Sequence, residues 1–278
     1  MKRILPPGVL ALFTLCLAGQ ASAAGCNLVE DQEARACCEK NQPQHAMEQL
    51  IRMSARDDKG TLGEFSARLR WKRFDDGRSR ARIDLTNPPN QSGTVVLLTE
   101  RETEAGEPTA DPEVVLYTPG ERRDRLITVS AISGEMFGSN FSYEDVSHFY
   151  GTNEDIRITR LEDGERDGQR TIVLQSEPTD FDAAMDNGAT YTRIVTNLDA
   201  ERCVPLLTQF YEEGDELRKE LSAAESDISP EGERWVAHRL LMKDLADGTS
   251  TELVIDKVVF DPEMKDRLFQ RSSLKRGR

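Results

Sequence analysis

Short runs in which apolar and polar residues alternate recur along most of this chain, and they constrain its fold more than any other feature. In the clearest run, Phe65 to Arg73, the apolar side chains occupy every second position. A period of two is typical of a β-strand with one buried face. The turn sequence Asp75-Asp76-Gly77 follows, and Ser79 to Leu85 then continues the alternation. The two runs therefore predict a β-hairpin.

Similar pairs of runs, separated by turn residues, continue towards the end of the sequence and predict about a dozen strands. Antiparallel neighbours can be joined by tight turns, whereas parallel neighbours need crossover helices, which the pattern lacks. A sheet of this size is expected to curl or close. We therefore predict a mainly β fold, namely a strongly curved antiparallel sheet or incomplete β-barrel of about 11–12 strands with a few covering α-helices.

Two segments interrupt the strand pattern and are predicted to be helical. Apolar residues at helical spacing between Gln44 and Arg56 indicate one helix lying on the sheet, and those between Pro262 and Leu274 indicate a short closing helix. The chain is predicted to have three parts: a signal peptide at 1–23, a cysteine-containing segment with its helix at 24–60, and a half-barrel at 61–278. The segment at 24–60 and the half-barrel are predicted to form one domain.

The first residues have the features of a secretory signal. A basic start precedes an apolar run from Val9 to Ala18, and Ala21-Ser22-Ala23 fits a cleavage site after Ala23. The run is too short for a permanent membrane span. We therefore predict export to the periplasm. A lipid anchor at Cys26 is the less favoured alternative, because the residues before it resemble a lipidation site only loosely.

Four cysteines follow the signal: Cys26, Cys37, Cys38 and Cys203. In an oxidising compartment they predict two disulfides. A bridge between the adjacent Cys37 and Cys38 would be strained, so one of them is expected to pair with Cys26 and the other with Cys203. Both such arrangements stay open. A zinc site made of the first three cysteines and His45 is the alternative, although its spacing matches no common zinc motif.

The formal net charge of −14 limits the classes of partner. A strongly acidic surface argues against nucleic acid and against anionic lipid headgroups as partners. It keeps the protein soluble and suits docking against a basic protein surface.

Between Gly134 and Gly151 the alternation stops, and this aromatic-rich stretch is the candidate functional segment. Ser142 is predicted to cap a short helix, and Glu144 and Asp145 fall in its first turn, where the helix dipole favours negative charge. Two interpretations stay open. The stretch is either a plug that closes one end of the β core or a lid over an apolar cavity.

Apolar residues on the strands extend the list of candidate ligand-binding residues, because barrels of this size can enclose a ligand. Trp71, Ile83, Leu97 and Leu116 are predicted to face the same way. The complete set of cavity and lid candidates is Trp71, Ile83, Leu97, Leu116, Phe137, Phe141, Tyr143, Phe149, Tyr150 and Trp235.

The motifs of common enzyme classes do not occur in the sequence. Asp145 and His148 are the nearest acid–base pair, and a structural role is favoured for both. We therefore predict a protein without catalytic residues, cofactor or metal. An enzyme acting on envelope glycans or lipids is the least favoured alternative. It stays open because the paired carboxylates of a glycosidase are recognised by their separation in space, which the sequence does not give.

The run from Phe137 to Val146 resembles the signature F/M-G-S-D-F-S-Y-E-D-L of the LolA-like outer-membrane lipoprotein-sorting proteins. Asn140 stands where the signature has aspartate. Weaker matches to the family's strands lie at Val115 to Pro119, Arg125 to Val129 and Gln209 to Lys219, and the similarity extends over about residues 60–274. The matching motif residues are Gly138, Ser139, Phe141, Ser142, Tyr143 and Asp145.

This resemblance implies an incomplete barrel, covered by helices, whose apolar cavity receives acyl chains. It implies a monomeric periplasmic carrier or chaperone that binds lipoprotein or lipid cargo for transfer to the outer membrane. The expected partners are this cargo, a membrane contacted transiently, and an inner-membrane exporter, with no nucleic acid. The alternative is a sensor of the RseB kind, which binds lipoproteins to control an envelope stress signal.

Overall fold

The computed structural model describes residues 26–57, 59–60, 62–100, 113–127, 135–145, 156–186 and 189–276. The predicted signal peptide, His148, Phe149 and Tyr150 lie outside the described residues. Sixteen strands occur within them. They are β1 (Ala46–Arg56), β2 (Leu62–Arg73), β3 (Ser79–Asn87), β4 (Val95–Thr99), β5 (Glu113–Thr118), β6 (Arg123–Leu126), β7 (Ile156–Arg160), β8 (Gly164–Arg166), β9 (Gln169–Pro178), β10 (Arg193–Asp199), β11 (Pro205–Glu212), β12 (Glu216–Ser222), β13 (Ile228–Glu231), β14 (Arg234–Ala237), β15 (Arg239–Asp244) and β16 (Thr249–Phe260).

Fourteen strands form one antiparallel sheet in the order β6-β5-β4-β3-β2-β1-β16-β15-β12-β11-β10-β9-β7, with β8 paired to β9. β13 and β14 form a separate hairpin. Within the described residues β6 and β7 do not pair with each other, so the sheet is not closed. A twisted sheet with more than about ten strands curls rather than staying flat. The predicted fold class is confirmed, with more strands than expected.

Cross-strand register gives the sheet one continuous apolar face, which we call the inner face. Leu69 of β2 lies opposite Ile83 of β3, and Val96 of β4 lies opposite both Ile83 and Leu116 of β5. Directly opposite residues point to the same side of a sheet. The buried cluster on this side extends from β5 to Ile194 of β10. The alternation of each strand therefore adds up to a single core.

The opposite side, the outer face, is covered at β4 and β5. Leu97 is buried in a cluster with Val115, Phe269 and Leu274, whereas its neighbour Val96 belongs to the inner cluster. Because successive side chains of a strand point to opposite faces, β4 is buried on both sides. The prediction that Leu97 faces the same way as Trp71 and Ile83 is therefore wrong.

The segment predicted as one closing helix forms two 3-10 helices, Asp266–Phe269 and Arg271–Arg276. Gln270 between them has extended backbone, which interrupts the helix. The guanidinium of Arg82 on β3 donates through Nη1 to the carbonyl oxygen of Leu268 at 2.9 Å. These turns thus lie along the outer face.

The predicted helix from Gln44 to Arg56 is also wrong, because β1 occupies this segment. β1 pairs along its length with β2 on one side and with β16 on the other. Its buried residues are Ala46, Met47, Ile51 and Met53. The spacing of Met47 and Ile51 fits a helix as well as a strand, so periodicity does not separate the two structures. Pairing with the long strands β2 and β16 therefore decides the structure of this segment, whatever its local preference for a helix.

The N-terminal segment does contain a helix, but it lies earlier, at Gln32–Lys40 (α1). Asp31 caps it, since its Oδ1 accepts a hydrogen bond from the backbone N of Ala34 at 2.9 Å. Ala34 packs with Leu198 of β10, which shares a face with Ile194 four residues before it. α1 therefore covers the β10 end of the inner face. In the described part of the chain, no helix is both long and apolar enough to cross a membrane.

Two disulfides hold α1 in place. One joins Cys26 to Cys38, and the other joins Cys37 to Cys203 in the turn after β10. This is one of the two arrangements left open by the sequence. The zinc alternative with His45 is wrong, because the three N-terminal cysteines are all bonded to other cysteines. Structural disulfides form in oxidising compartments, so the folded chain is extracytoplasmic.

We expect the two disulfides to stabilise the fold unequally. The Cys37–Cys203 bond has a sequence separation of 166 residues and the Cys26–Cys38 bond one of 12. Cross-linking a longer loop removes more entropy from the unfolded chain. The chain-entropy relation gives a loss of about 5 kcal/mol for Cys37→Ala/Cys203→Ala and about 3 kcal/mol for Cys26→Ala/Cys38→Ala. Guanidinium unfolding of both double variants without reductant measures the difference, and equal losses would contradict the expectation.

Candidate functional site

Residues 135–145, which we call the crossing segment, lie over the inner face of the sheet. The segment reaches β2 at Phe137, β16 at Asn140 and β12 at Asp145. In the sheet order these strands are separated by β1 and β15. At about 4.8 Å per strand, the four steps from β2 to β12 span about 19 Å. One short piece of chain therefore bridges a large part of the apolar face.

A tight turn at Phe137-Gly138 begins the crossing segment. The backbone N of Ser139 donates to the carbonyl oxygen of Met136 at 3.1 Å. Phe137 has φ 59° and Gly138 has φ 74°. The left-handed region is costly for a phenylalanine, so its surroundings must hold it there. The ring of Phe137 packs edge-on against Phe65, with ring centroids 6.1 Å apart.

Asn140 attaches the middle of the segment to β16. Its backbone N donates to Oγ1 of Thr251 at 2.9 Å, and its side-chain Oδ1 accepts from the same hydroxyl at 2.8 Å. Its Nδ2 donates to Oγ1 of Thr249 at 2.6 Å. An amide supplies both a donor and an acceptor. The asparagine that replaces the aspartate of the family signature thus serves both threonines.

A capping box begins the helical turn at Tyr143. The backbone N of Asp145 donates to Oγ of Ser142 at 3.0 Å, and the backbone N of Ser142 donates to Oδ2 of Asp145 at 2.7 Å. This reciprocal pair satisfies two backbone N–H groups at the start of a helix. Ser142 is therefore the cap that the sequence predicts.

The carboxylate of Asp145 is fully buried and makes two further contacts. The hydroxyl of Tyr191 donates to Oδ1 at 2.8 Å, and Nζ of Lys219 on β12 lies 3.4 Å from Oδ2. The Lys219 side chain is 9% exposed. Two charges in such a place depend on each other, because loss of one leaves the other buried and uncompensated. Asp145 thereby joins the crossing segment to β12 and to the residues before β10.

Glu144 strengthens the same attachment. Its carboxylate accepts hydrogen bonds from the backbone N of Thr190, at 3.0 and 3.2 Å, and from the backbone N of Tyr191 at 3.4 Å. Glu144 is 6% exposed. Hydrogen bonds to an ionised group are among the stronger ones. Two adjacent acidic residues therefore fix the end of the crossing segment.

Two buried tyrosines belong to this region. Burial raises the pKa of Tyr143, and it raises the pKa of Tyr191 well above its ordinary value, with the nearby charges of Asp145 and Glu144 acting in the same direction. Both phenols are therefore neutral near pH 7. The neutral hydroxyl of Tyr191 can donate its proton in the hydrogen bond to Asp145.

The structure brings most of the predicted cavity and lid residues together. Six belong to the inner cluster or pack against it: Trp71, Ile83, Leu116, Phe137, Phe141 and Tyr143. Trp235 instead packs in a smaller cluster with residues of β11 and β13. Leu97 lies on the outer face, and Phe149 and Tyr150 are outside the described residues.

Trp71 has an unused hydrogen-bond donor on this apolar face. The residue is 3% exposed, and among the described residues its indole Nε1 has no hydrogen-bond partner. The guanidinium of Arg73 lies 5.7 Å from its ring centroid. A buried N–H without an acceptor is unfavourable. A ligand atom that accepts a hydrogen bond would relieve this cost.

Sequence reasoning missed the residues that hold the crossing segment in place. Lys219 occurs in a hairpin that resembles the family pattern, but its buried contact with Asp145 joins residues 74 positions apart. The sequence contains one indication that Lys219 is buried. Lys219 falls between Leu217 and Leu221 in the apolar phase of its strand, where a lysine is out of place. Tyr191 gave no comparable signal.

The site uses its polar side chains to attach the crossing segment and leaves apolar surface between the attachment points. The sequence offers Asp145 as the nearest acid–base partner of His148. In the structure its carboxylate instead makes polar contacts with Ser142, Tyr191 and Lys219. This arrangement suits the binding of an apolar ligand.

We expect loss of one partner of the buried ion pair to destabilise the protein more than loss of both. Lys219→Met leaves the carboxylate of Asp145 buried without its cation, at a cost of about 3–5 kcal/mol. In Lys219→Met/Asp145→Asn the neutral amide can still accept from Ser142, so the losses of the two single variants should not add. Chemical unfolding of all three variants measures the coupling. Lys243→Met, at an exposed position of β15, is the control, and additive losses would refute the coupling.

We also expect the protein to lose stability at alkaline pH through Tyr191. Its folded pKa lies above the unfolded value of about 10. The stabilisation is therefore complete below that pH and is lost as the pH rises through the folded pKa. Unfolding measured at a series of pH values should show this decline. Tyr191→Phe should reduce it, whereas Tyr211→Phe should not. Equal declines in the two variants would contradict this assignment.

Three solved structures resemble this chain along most of its length. A domain assigned to the outer membrane lipoprotein-sorting proteins of Vibrio parahaemolyticus has a TM-score of 0.74 at 25% identity, over 88% of this chain and 97% of that one. For a DUF1329 family protein from Desulfovibrio piger the TM-score is 0.76 at 19% identity, with 90% and 97% covered. For a LolA superfamily protein from Nitrosomonas europaea it is 0.65 at 14% identity, with 85% and 94% covered. The last two likenesses show the fold alone.

Comparison with curated proteins gives no match. A protein-family model, described as that of an uncharacterized protein, matches residues 77–276. This range contains the crossing segment and all strands from β3 onwards. The chain therefore belongs to the family of this model, which is a LolA-like family.

Proposed function

We propose that this protein is a carrier that binds the acyl chains of lipoproteins or other lipids on its inner face for transfer to the outer membrane. The observation that carries the proposal is the continuous apolar face beneath a crossing segment that is attached by polar contacts. The likeness of this chain to a lipoprotein-sorting domain, at 25% identity, supports the same class of cargo.

The chemistry of this face is sufficient for such binding. Burial of an acyl chain gains about 0.8 kcal/mol per CH₂ group, so twelve methylenes contribute roughly 10 kcal/mol before the costs of association. Catalytic groups are not required. A surface made almost entirely of aliphatic and aromatic side chains is therefore enough to hold the cargo.

Several apolar residues on this face are only partly covered. Leu116, Phe137, Leu240, Leu253 and Phe260 pack against the inner cluster while remaining partly accessible. Additional apolar contact with them would still remove surface from water. We infer that an acyl chain extends from these residues towards the buried part of the cluster.

Trp71 supplies a polar contact for the cargo. Its indole N–H is buried and has no acceptor among the described residues, whereas the ester or amide of an acyl group carries a carbonyl oxygen. A hydrogen bond between the two would satisfy the donor. The proposal therefore favours acylated molecules over plain hydrocarbons.

The location follows the same reasoning. The two disulfides agree with the periplasm that the signal peptide predicts. A thioether lipid at Cys26 would need the sulfur that is bonded to Cys38. We therefore propose that the mature protein begins after Ala23, moves free of an anchor as a monomer, and receives its cargo from an inner-membrane exporter.

The two tryptophans of the chain provide a test. Trp71 lies in the inner cluster and Trp235 in a different one. The variant Trp235→Phe keeps only the first as a fluorophore, and Trp71→Phe keeps only the second. Lysophosphatidylcholine with a brominated acyl chain should quench the fluorescence of Trp235→Phe and leave that of Trp71→Phe nearly unchanged, because bromine quenches at short range. Unbrominated lipid controls for changes in folding.

The possible outcomes distinguish an error in the proposed binding site from an error in the proposed carrier function. Quenching of Trp235 without quenching of Trp71 would show that the lipid binds elsewhere. Absence of quenching in both variants, together with no acylated molecule retained by the purified protein in native mass spectrometry, would refute the carrier proposal.

A further inference from the structure

The net charge of −14 conceals a basic region at one edge of the sheet. The edge strand β6 and the turn before it carry Arg122, Arg123 and Arg125, and all three side chains are exposed. We call these three residues and Leu126 the basic edge. In a chain with 50 acidic and 36 basic residues, a surface with an excess of cations needs an explanation.

The cations of this edge are poorly compensated. Among the described residues Arg122 and Arg123 have no ion-pair partner, and Arg125 has only a distant one, with its Nε 3.9 Å from the exposed carboxylate of Glu121. Exposed pairs of this kind contribute little. Asp124, the one acidic residue within β6, is engaged by the guanidinium of Arg271. The positive charge of the edge therefore faces solvent.

The opposite edge of the sheet shows that protection of an edge does not require free cations. Charged side chains on an edge strand prevent pairing with other chains. At β7, Arg157 pairs with Glu177 at 3.2 Å, and Arg160 contacts Asp31 at 2.6 Å and Asp163 at 2.8 Å. Both edges are charged, but at β7 the arginines are neutralised. Judged by the described residues, the weakly paired arginines of the basic edge thus exceed what edge protection needs.

Leu126 adds an exposed apolar side chain to the same strand. It is 49% exposed, the largest value among the exposed large apolar residues of the described chain. It lies opposite Val115, which is buried beneath the turns of the outer face. Because Leu126 follows Arg125 in β6, its side chain points to the other side of the strand. A membrane that meets the strand edge-on can contact both, since its acyl chains lie next to anionic headgroups.

We propose that the basic edge docks the protein on the surface of an anionic membrane, with Arg122, Arg123 and Arg125 bound to lipid phosphates and Leu126 inserted among the headgroups. The net acidic charge of the chain is repelled by such a membrane, which favours an orientation in which the basic edge faces the lipid. Composition alone suggests that anionic lipids are excluded, whereas the distribution of charge makes one orientation favourable.

An acidic protein would also be attracted by three arginines, but the leucine favours a membrane. Attraction to a charged protein surface gains nothing from an exposed apolar side chain beside the contact unless that protein has a matching pocket. A bilayer accepts such a side chain anywhere on its surface. The proposal does not depend on acyl binding to the inner face and can be tested with lipid-free protein.

Co-sedimentation with vesicles tests the proposal. Vesicles of phosphatidylcholine mixed with an equal amount of phosphatidylglycerol should bind the protein, with binding weakened by salt, whereas phosphatidylcholine alone should not. Arg122→Gln/Arg123→Gln/Arg125→Gln should weaken binding about a hundredfold, since each basic side chain near an anionic surface contributes about a factor of five. Leu126→Ser should weaken it by a smaller factor.

Matched variants keep the test specific. Arg52→Gln/Arg157→Gln/Arg239→Gln changes the net charge equally at three exposed arginines that are paired with acidic residues, and Leu245→Ser alters a leucine of similar exposure, 45%. Both controls should bind like the wild type. Equal loss in the controls, equal binding to neutral vesicles, or no binding to either vesicle would overturn the proposal. Binding to immobilised polyglutamate but not to vesicles would show that the partner is an acidic protein.

Discussion

The apolar inner face is the constraint on which the rest of the structure depends. Its strands do not close, so the face must be covered by other parts of the chain. Each cover is fastened by a contact that apolar packing alone would not provide. A disulfide holds α1, and the backbone N of Trp235 donates to Oδ1 of Asn41, which ties the β13–β14 hairpin to the end of that helix. The crossing segment is held by the buried pair of Asp145 and Lys219.

Much of the fold could be predicted because a period of two is a local property. Phe65 to Trp71 and Ala81 to Leu85 alternate cleanly, and the structure places their apolar residues on one face. β1 was predicted as a helix because its few apolar residues fit both periods, and only its partners β2 and β16 decide the matter. The face of Leu97 was also mistaken, because β4 is apolar at four successive positions and has no polar phase to orient it.

The candidate site divides in the same way. The motif from Gly138 to Asp145 was recognised from the sequence, and its capping box is a local pattern. The partners of that motif are not local, since Lys219 and Thr251 come from distant strands and touch it only after the sheet has formed. Charge shows a related limit. A sum over the chain cannot reveal that, within the described residues, Arg122 and Arg123 have no ion-pair partner whereas Arg160 pairs with three carboxylates.

Polar attachment of the crossing segment is consistent with the proposed function, in which the cargo is apolar. An acyl chain competes directly with contacts such as that of Phe137 with Phe65, because it offers the same chemistry and similar shape. It cannot replace the hydrogen bonds of Asn140 or the charge of Lys219, since it carries no matching group. In the proposed function, cargo therefore displaces side chains beneath the segment while the attachment of the segment to β12 and β16 persists. Buried polar contacts carry a desolvation cost, but they keep a cover in place where apolar contacts would yield.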